Sequence, residues 1–116
     1  MKNTAPLKEN HLFRRTYNRG KTAADSRLAI YVRRNGQRHN RLGFTVSTKV
    51  GNAVVRNRVR RRLREIYRLN EDRLRSGFDV VVVARMRAAD SRYHQLEKSF
   101  LKLADKLELL KKEGET

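Results

Sequence analysis

Arg56, Arg58, Arg60, Arg61, Arg62, Arg64 and Arg68 place seven guanidinium groups within thirteen residues, interleaved with Asn57, Val59 and Leu63. A guanidinium is a planar fork of donors that can bridge two phosphate oxygens, so such a run suits a polyanion. A merely solvated helix face interleaves acids with bases to form pairs along its surface, whereas this run has only Glu65 nearby. Val55, Val59, Leu63 and Ile66 fall within an arc of about 80° on a helical wheel. One oily edge therefore anchors a cationic rod. If six to eight cations neutralise phosphates, a slope of about −0.9 per contact predicts a loss of roughly three to four decades in affinity between 50 and 200 mM salt.

Phe13, Tyr17 and Tyr31 form a second set. Aromatic rings beside small hydroxyl side chains such as Thr45 and Ser47 can stack on unpaired bases without demanding a sequence. Phe13 could equally fill core. Other chemistries lack support. His11, His39 and His94 are isolated and read as surface residues. Glu65, Glu71, Asp72 and Asp79 show no spacing that suggests the convergent carboxylates of a two-metal nuclease. No GxxxxGK[ST], GxGxxG or GxSxG sequence occurs, and the absence of cysteine excludes thiol nucleophiles, disulfides and Cys-bearing zinc sites. The expectation is binding, with no catalytic residue and no metal site assigned to the protein.

Composition agrees. The 116 residues carry 29 Lys and Arg against 12 Asp and Glu, a formal net charge of +17, and 35% of residues are charged. That length suits one domain spanning residues 1–116, which the charge marks as nucleic-acid-binding, with residues 1–7 and 112–116 expected as flexible ends. No apolar run approaches a membrane span, and no apolar stretch marks a secretory signal at the N-terminus. The cytoplasm is the expected compartment, with no membrane partner.

Several elements must position these residues. Residues 10–19 read as a short helix with Asn10 as its cap and Gly20 at its end. Leu28, Ile30 and Val32 alternate with Ala29 and Tyr31 as in a half-buried strand, Asn35-Gly36 signals a turn, and Leu42, Phe44 and Val46 alternate with Gly43, Thr45 and Ser47. These two runs are expected to pair as a hairpin with one wet face. Gly51-Asn52 precedes the arginine helix. Phe78 to Ala84 is a continuous valine-rich run suited to a central strand covered on both faces. Asp90 or Ser91 is expected to cap a last helix bearing Tyr93, Leu96, Phe100, Leu103, Leu107 and Leu110. The order αββαβα, or αβββαβα, makes an α+β sandwich.

The run from Leu42 through Lys49, Gly51-Asn52 and Arg56-Asn57-Arg58 to Glu65 closely resembles the signature of the bacterial ribonuclease P protein family. The spacing of Asn10, Phe13, Tyr17 and Gly20, the Leu28-Ala29-Ile30-Tyr31 strand and the Ala84-Arg85 strand end resemble it in order, so most of residues 8–105 is covered. Thr48 and Arg87 depart from a frequent lysine and a frequent proline. The resemblance implies a two-layer α/β sandwich with a mostly antiparallel central sheet and a left-handed βαβ crossover, as in the second domain of ribosomal protein S5. The crossover helix would run from Asn52 to Arg68.

It further implies a catalytic RNA partner that removes the 5′ leader of precursor tRNA with Mg²⁺ held mainly by RNA and substrate. The protein would be inactive alone and would need no protein partner. Lys49, Arg56, Asn57, Arg58, Arg60, Arg61 and Arg64, with Arg68 from the same basic face, would bind RNA. Phe13, Tyr17, Tyr31, Thr45 and Ser47 would line the cleft for the single-stranded leader. A structural RNA-binding protein of ribosomal type is the alternative that charge alone leaves open.

Overall fold

The computed structural model describes residues 1–112 and 114. In chain order the elements are β1 (Thr4–Pro6), α1 (Asn10–Arg19), β2 (Lys21–Ala24), β3 (Leu28–Arg34), β4 (Asn40–Val46), α2 (Ala53–Asn70), β5 (Phe78–Ala84) and α3 (Tyr93–Lys106). Short 3-10 turns, Glu71–Arg73 and Met86–Asp90, precede β5 and α3. One five-stranded sheet has the order β1-β4-β5-β3-β2. The ladders β1/β4 and β4/β5 are parallel, and β5/β3 and β3/β2 antiparallel.

As its composition requires, β5 is the central strand, with Val80, Val81 and Val82 fully buried. This placement overturns the expected hairpin. The chain does turn at Asn35-Gly36, but β5 lies between β3 and β4, pairing Tyr31 with Val81 on one side and Gly43 with Val81 on the other. An apolar run with no polar alternate residues is best covered on both faces, and only the sheet centre supplies that.

Alternation decides what each face holds. Leu28, Ile30, Val32, Leu42, Val46, Val80 and Val82 point to the face packed by Val59, Leu63 and Ile66 of α2 and by Leu96, Phe100 and Leu103 of α3. On the opposite face Val81 packs with Leu7 and Leu12, joined by Phe13, Tyr17, Tyr31 and Val83. The α1 helix thus covers only part of that second face, and the rest is open.

Residues 1–7, expected as a flexible end, instead contain β1. Thr4, Ala5 and Pro6 pair with Asn40, Arg41 and Leu42, and Leu7 is buried. The docking is polar: Thr4 Oγ1 lies 3.0 Å from the hydroxyl of the fully buried Tyr67, which also accepts from Asn40 Nδ2 at 3.2 Å. The Lys2 amide donates to Glu71 Oε1 at 2.8 Å. A proline is tolerated there because an edge strand need not donate on both sides. The expectation for residues 112–116 falls largely outside the described residues.

Helix ends shift by a residue or two. The α1 cap is Glu9, with Asn10 the first helical residue. Gly20 closes α1 for a steric reason: a Cβ there would collide with the carbonyl oxygens of Thr16 and Val32. At α3 the cap is Arg92, not Asp90 or Ser91. Ser91 is engaged elsewhere, its hydroxyl donating to the Arg87 carbonyl at 2.7 Å and accepting from Arg27 Nε at 3.1 Å. The α3 helix stops at Lys106 because Glu108 takes a left-handed conformation (φ 58°). Leu109 is then fully buried, and Leu110 leaves the helical pattern to bridge Leu74. Among the described residues no helix is long and apolar enough to cross a membrane.

Candidate nucleic-acid interface

The arginine helix begins where Asn52 Oδ1 accepts the Val55 amide at 3.0 Å, satisfying one of the first-turn donors. Val59, Leu63, Ile66 and Tyr67 are buried against the sheet and α3, which fixes the helix in rotation. Asn57, Arg61, Arg64 and Arg68 are then the exposed outer stripe.

The other arginines lie on the flanks and differ in use. Arg58 Nη2 donates to the Ala89 carbonyl at 3.4 Å, and Arg62 Nη1 to the Ser91 carbonyl at 3.1 Å, so both pin the turn before α3. Arg60 Nη1 donates to Asn57 Oδ1 at 3.3 Å. Arg68 forks onto the Glu65 carboxylate, and that hydrogen bond holds the Glu65 carboxyl below its usual range. Arg56 and Arg58 each keep a buried Nε without a hydrogen-bond partner. Arg56, Arg60, Arg61 and Arg64 are therefore the guanidiniums least committed to the protein's own acceptors. Lys49 is exposed in the turn that leads from β4 into α2.

The aromatic set converges. Tyr17 meets Tyr31 edge-on, with ring centroids 4.9 Å apart, and Phe13 stands 6.3 Å from Tyr17. The Tyr17 hydroxyl lies 2.7 Å from Thr45 Oγ1, which ties α1 to β4. Sheet register supplies the floor: Thr45 pairs with Val83, Val83 with Ala29 and Ala29 with Ala24, so these four share one row beside the α1 aromatics. Ser47 is exposed just beyond the end of β4.

One further residue reaches the cleft. By alternation from Val81 and Val83, the exposed Arg85 lies on the same face at its rim, where Nη1 donates to the Asp25 carbonyl at 2.9 Å. The continuous valine run masked this, since it offers no polar alternate residue to mark a face. Burial raises the Asp25 carboxyl, but the amides of Leu28 and Arg27, the Ser99 hydroxyl and Lys102 outweigh it and bring the pKa to about 2. The β2–β3 turn at the cleft's end is thus held by an ionised carboxylate.

Gly43 lets Phe13 approach. A Cβ on Gly43 would sit 2.5 Å from Phe13 Cζ, inside any real contact. Because a ring tip and not backbone must yield, Gly43→Ala is expected to cost at the low end of the ~1–3 kcal/mol typical of overpacking while displacing the ring. Denaturant unfolding should show a small loss, and binding of single-stranded RNA a larger one.

The two sets meet at the β4 edge beyond the short β1. A cavity of about 460 Å³ there is lined by Phe13, Gly43 and Phe44 on one side and by Arg60 and Arg64 on the other. Ring faces and guanidiniums in one concavity can hold bases and phosphates side by side. Among the described residues no three His, Asp or Glu side chains are placed to hold a metal ion.

Comparison with known proteins gives one answer. The family model for Ribonuclease P matches residues 1–108. The chain is 42% identical over 112 residues to the ribonuclease P protein component of Natranaerobius thermophilus, covering 97% of each chain. It is 46% identical over 103 residues to that of Caldanaerobacter subterraneus subsp. tengcongensis, covering 89% of each. Among solved structures, the RNase P protein of Staphylococcus aureus superposes with a TM-score of 0.84 at 31% identity, covering 91% of this chain and 97% of that one. The RNase P protein of Thermotoga maritima gives a TM-score of 0.77 at 29% identity, covering 84% and 92%.

Proposed function

Because the chain belongs to the ribonuclease P protein family, we propose that it docks on a catalytic RNA through α2 and cradles the single-stranded 5′ leader of precursor tRNA in the cleft beneath α1. The RNA subunit carries out the Mg²⁺-dependent hydrolysis, with the metal held by RNA and substrate. The protein contributes phosphate contacts and a stacking surface, needs no protein partner, and works in the cytoplasm. One observation carries this reading: Arg60 and Arg64 share a cavity with Phe13, whose ring stands beside Tyr17, itself bonded to Thr45. A helix bound to one RNA thus opens directly onto a groove able to hold a second strand.

Family membership supports the ribonucleoprotein setting over a ribosomal role. The geometry supports the division of labour between helix and cleft, because the helix exposes charge while the cleft exposes rings and hydroxyls.

Leader selectivity tests it. Phe13→Ala and Tyr17→Ala are expected to weaken binding of leader-bearing precursor by the reconstituted complex, each by roughly 5- to 150-fold if one stacked base worth about 1–3 kcal/mol is lost. Mature tRNA, which lacks unpaired leader bases, should bind as before. Equal losses for both RNAs would reject the leader cleft.

A further inference from the structure

The cleft does not end at the sheet edge. At its rim Arg85 is bonded to the β2–β3 turn through the Asp25 carbonyl, and the Arg85 amide donates to the Arg27 carbonyl at 2.9 Å. The Arg27 side chain then reaches past the turn to Ser91 Oγ at 3.1 Å, immediately before α3. Two adjoining concavities of about 440 and 320 Å³ lie around it, sharing Arg27 and Gln95.

Their lining is strongly one-sided. His94, Lys98 and Lys102 recur every fourth residue along α3, all exposed, and Arg87 adds a charge at the far end. Asp90 is the acid on this lining, and Asp25 is turned to Lys102 at 3.1 Å. Glu97 accepts from Asn70 Nδ2 at 3.0 Å, on the α2 side of the helix, and does not offset the stripe. Leu96, Phe100 and Leu103 are buried beneath it, so the stripe is presented on a fixed helix. Lys98, Arg27 and Arg87 line these concavities along one continuous path from the cleft rim, and a positively charged groove of this kind tracks a nucleic-acid backbone.

We propose that this α3 groove carries the phosphates of the leader strand after it leaves the cleft over the β2–β3 turn, so that long leaders gain contacts that short ones cannot reach. The inference rests on the leader-cleft reading above. The protein therefore has two sequential leader surfaces, a stacking one under α1 and an electrostatic one on α3.

The test uses the reconstituted complex with Arg87→Ala combined with Lys98→Ala, one cation from each concavity, and precursor tRNAs whose leaders either stop within the cleft or extend well past it. The double variant should weaken the long-leader precursor and leave the short-leader precursor unchanged. At about 0.7 per phosphate on a single strand, two lost contacts remove ~1.4 from the salt slope, or roughly sevenfold of the affinity change between 50 and 200 mM. Lys98→Arg should retain wild-type behaviour, and thermal unfolding should show that the double variant still folds. Equal losses on both leaders, a loss that falls on assembly with the catalytic RNA, or no change at all would each overturn the proposal. If wild type itself does not prefer leader-bearing over mature tRNA, the cleft reading fails first.

Discussion

A variant with Arg56, Arg60, Arg61 and Arg64 all changed to Ala is expected to assemble with the catalytic RNA about a hundredfold less salt-sensitively than wild type between 50 and 200 mM, since four phosphate contacts at ~0.9 each carry a slope of about 3.6. These four were chosen by geometry. Arg58 and Arg62 are bonded to carbonyls of the turn before α3, and Arg68 to Glu65, so their removal mixes lost phosphate contacts with lost packing. The comparison variant Arg58→Ala plus Arg62→Ala should move the unfolding midpoint more than the salt slope. Filter binding or calorimetry across a salt series reads the slope, and circular dichroism reads the fold. An unchanged slope in the fourfold variant would mean that α2 does not face phosphate.

Asp79→Ala should be among the most damaging single changes to stability. Asp79 is fully buried in the central strand and accepts from Arg41 Nε at 2.6 Å, Arg41 Nη2 at 2.9 Å and Asn35 Nδ2 at 3.1 Å. Arg41 is its register partner on β4, and Asn35 belongs to the connection between β3 and β4, so one carboxylate ties three segments together. Removing one partner of a buried pair leaves the other uncompensated, at a cost of about 3–5 kcal/mol. The Arg41 side chain keeps 24% of its exposure and can regain some water, which favours the lower end. Against a typical total of ~5–15 kcal/mol, even 3 kcal/mol is a large share. The double variant Arg41→Met with Asp79→Val should recover most of the loss, because a well-packed apolar pair removes both charges together. Chemical unfolding of the two variants measures this, and a single variant as stable as wild type would show the pair to be dispensable.

Legibility in the sequence followed the range of the interactions. The buried edge of α2, the alternation in β3 and β4 and the central place of the valine strand are local patterns, and the structure has them. The strand β1 had no such signal: three residues ending in proline carry no period, and their position comes from Tyr67 and Glu71, more than sixty residues away. The hairpin expectation failed because a turn signal shows only that the chain reverses, not which strand comes to lie alongside. Within the candidate site, Phe13, Tyr17, Tyr31 and Thr45 were each visible as types, but their convergence depends on Gly43 admitting the Phe13 ring. The distinction among the arginines was hidden altogether. Seven similar side chains in a row give no hint that Arg58 and Arg62 turn towards carbonyls about thirty residues later, whereas the structure shows it at once.

The measurement that bears most directly on the account is cleavage of a 5′-labelled precursor tRNA by the protein alone, by a ribonuclease P RNA alone and by the two together, at physiological Mg²⁺. A division of labour between RNA and protein predicts no leader release by the protein alone, little by the RNA alone and efficient release by the pair. Leader release by the isolated protein, or a pair no better than its RNA, would contradict it.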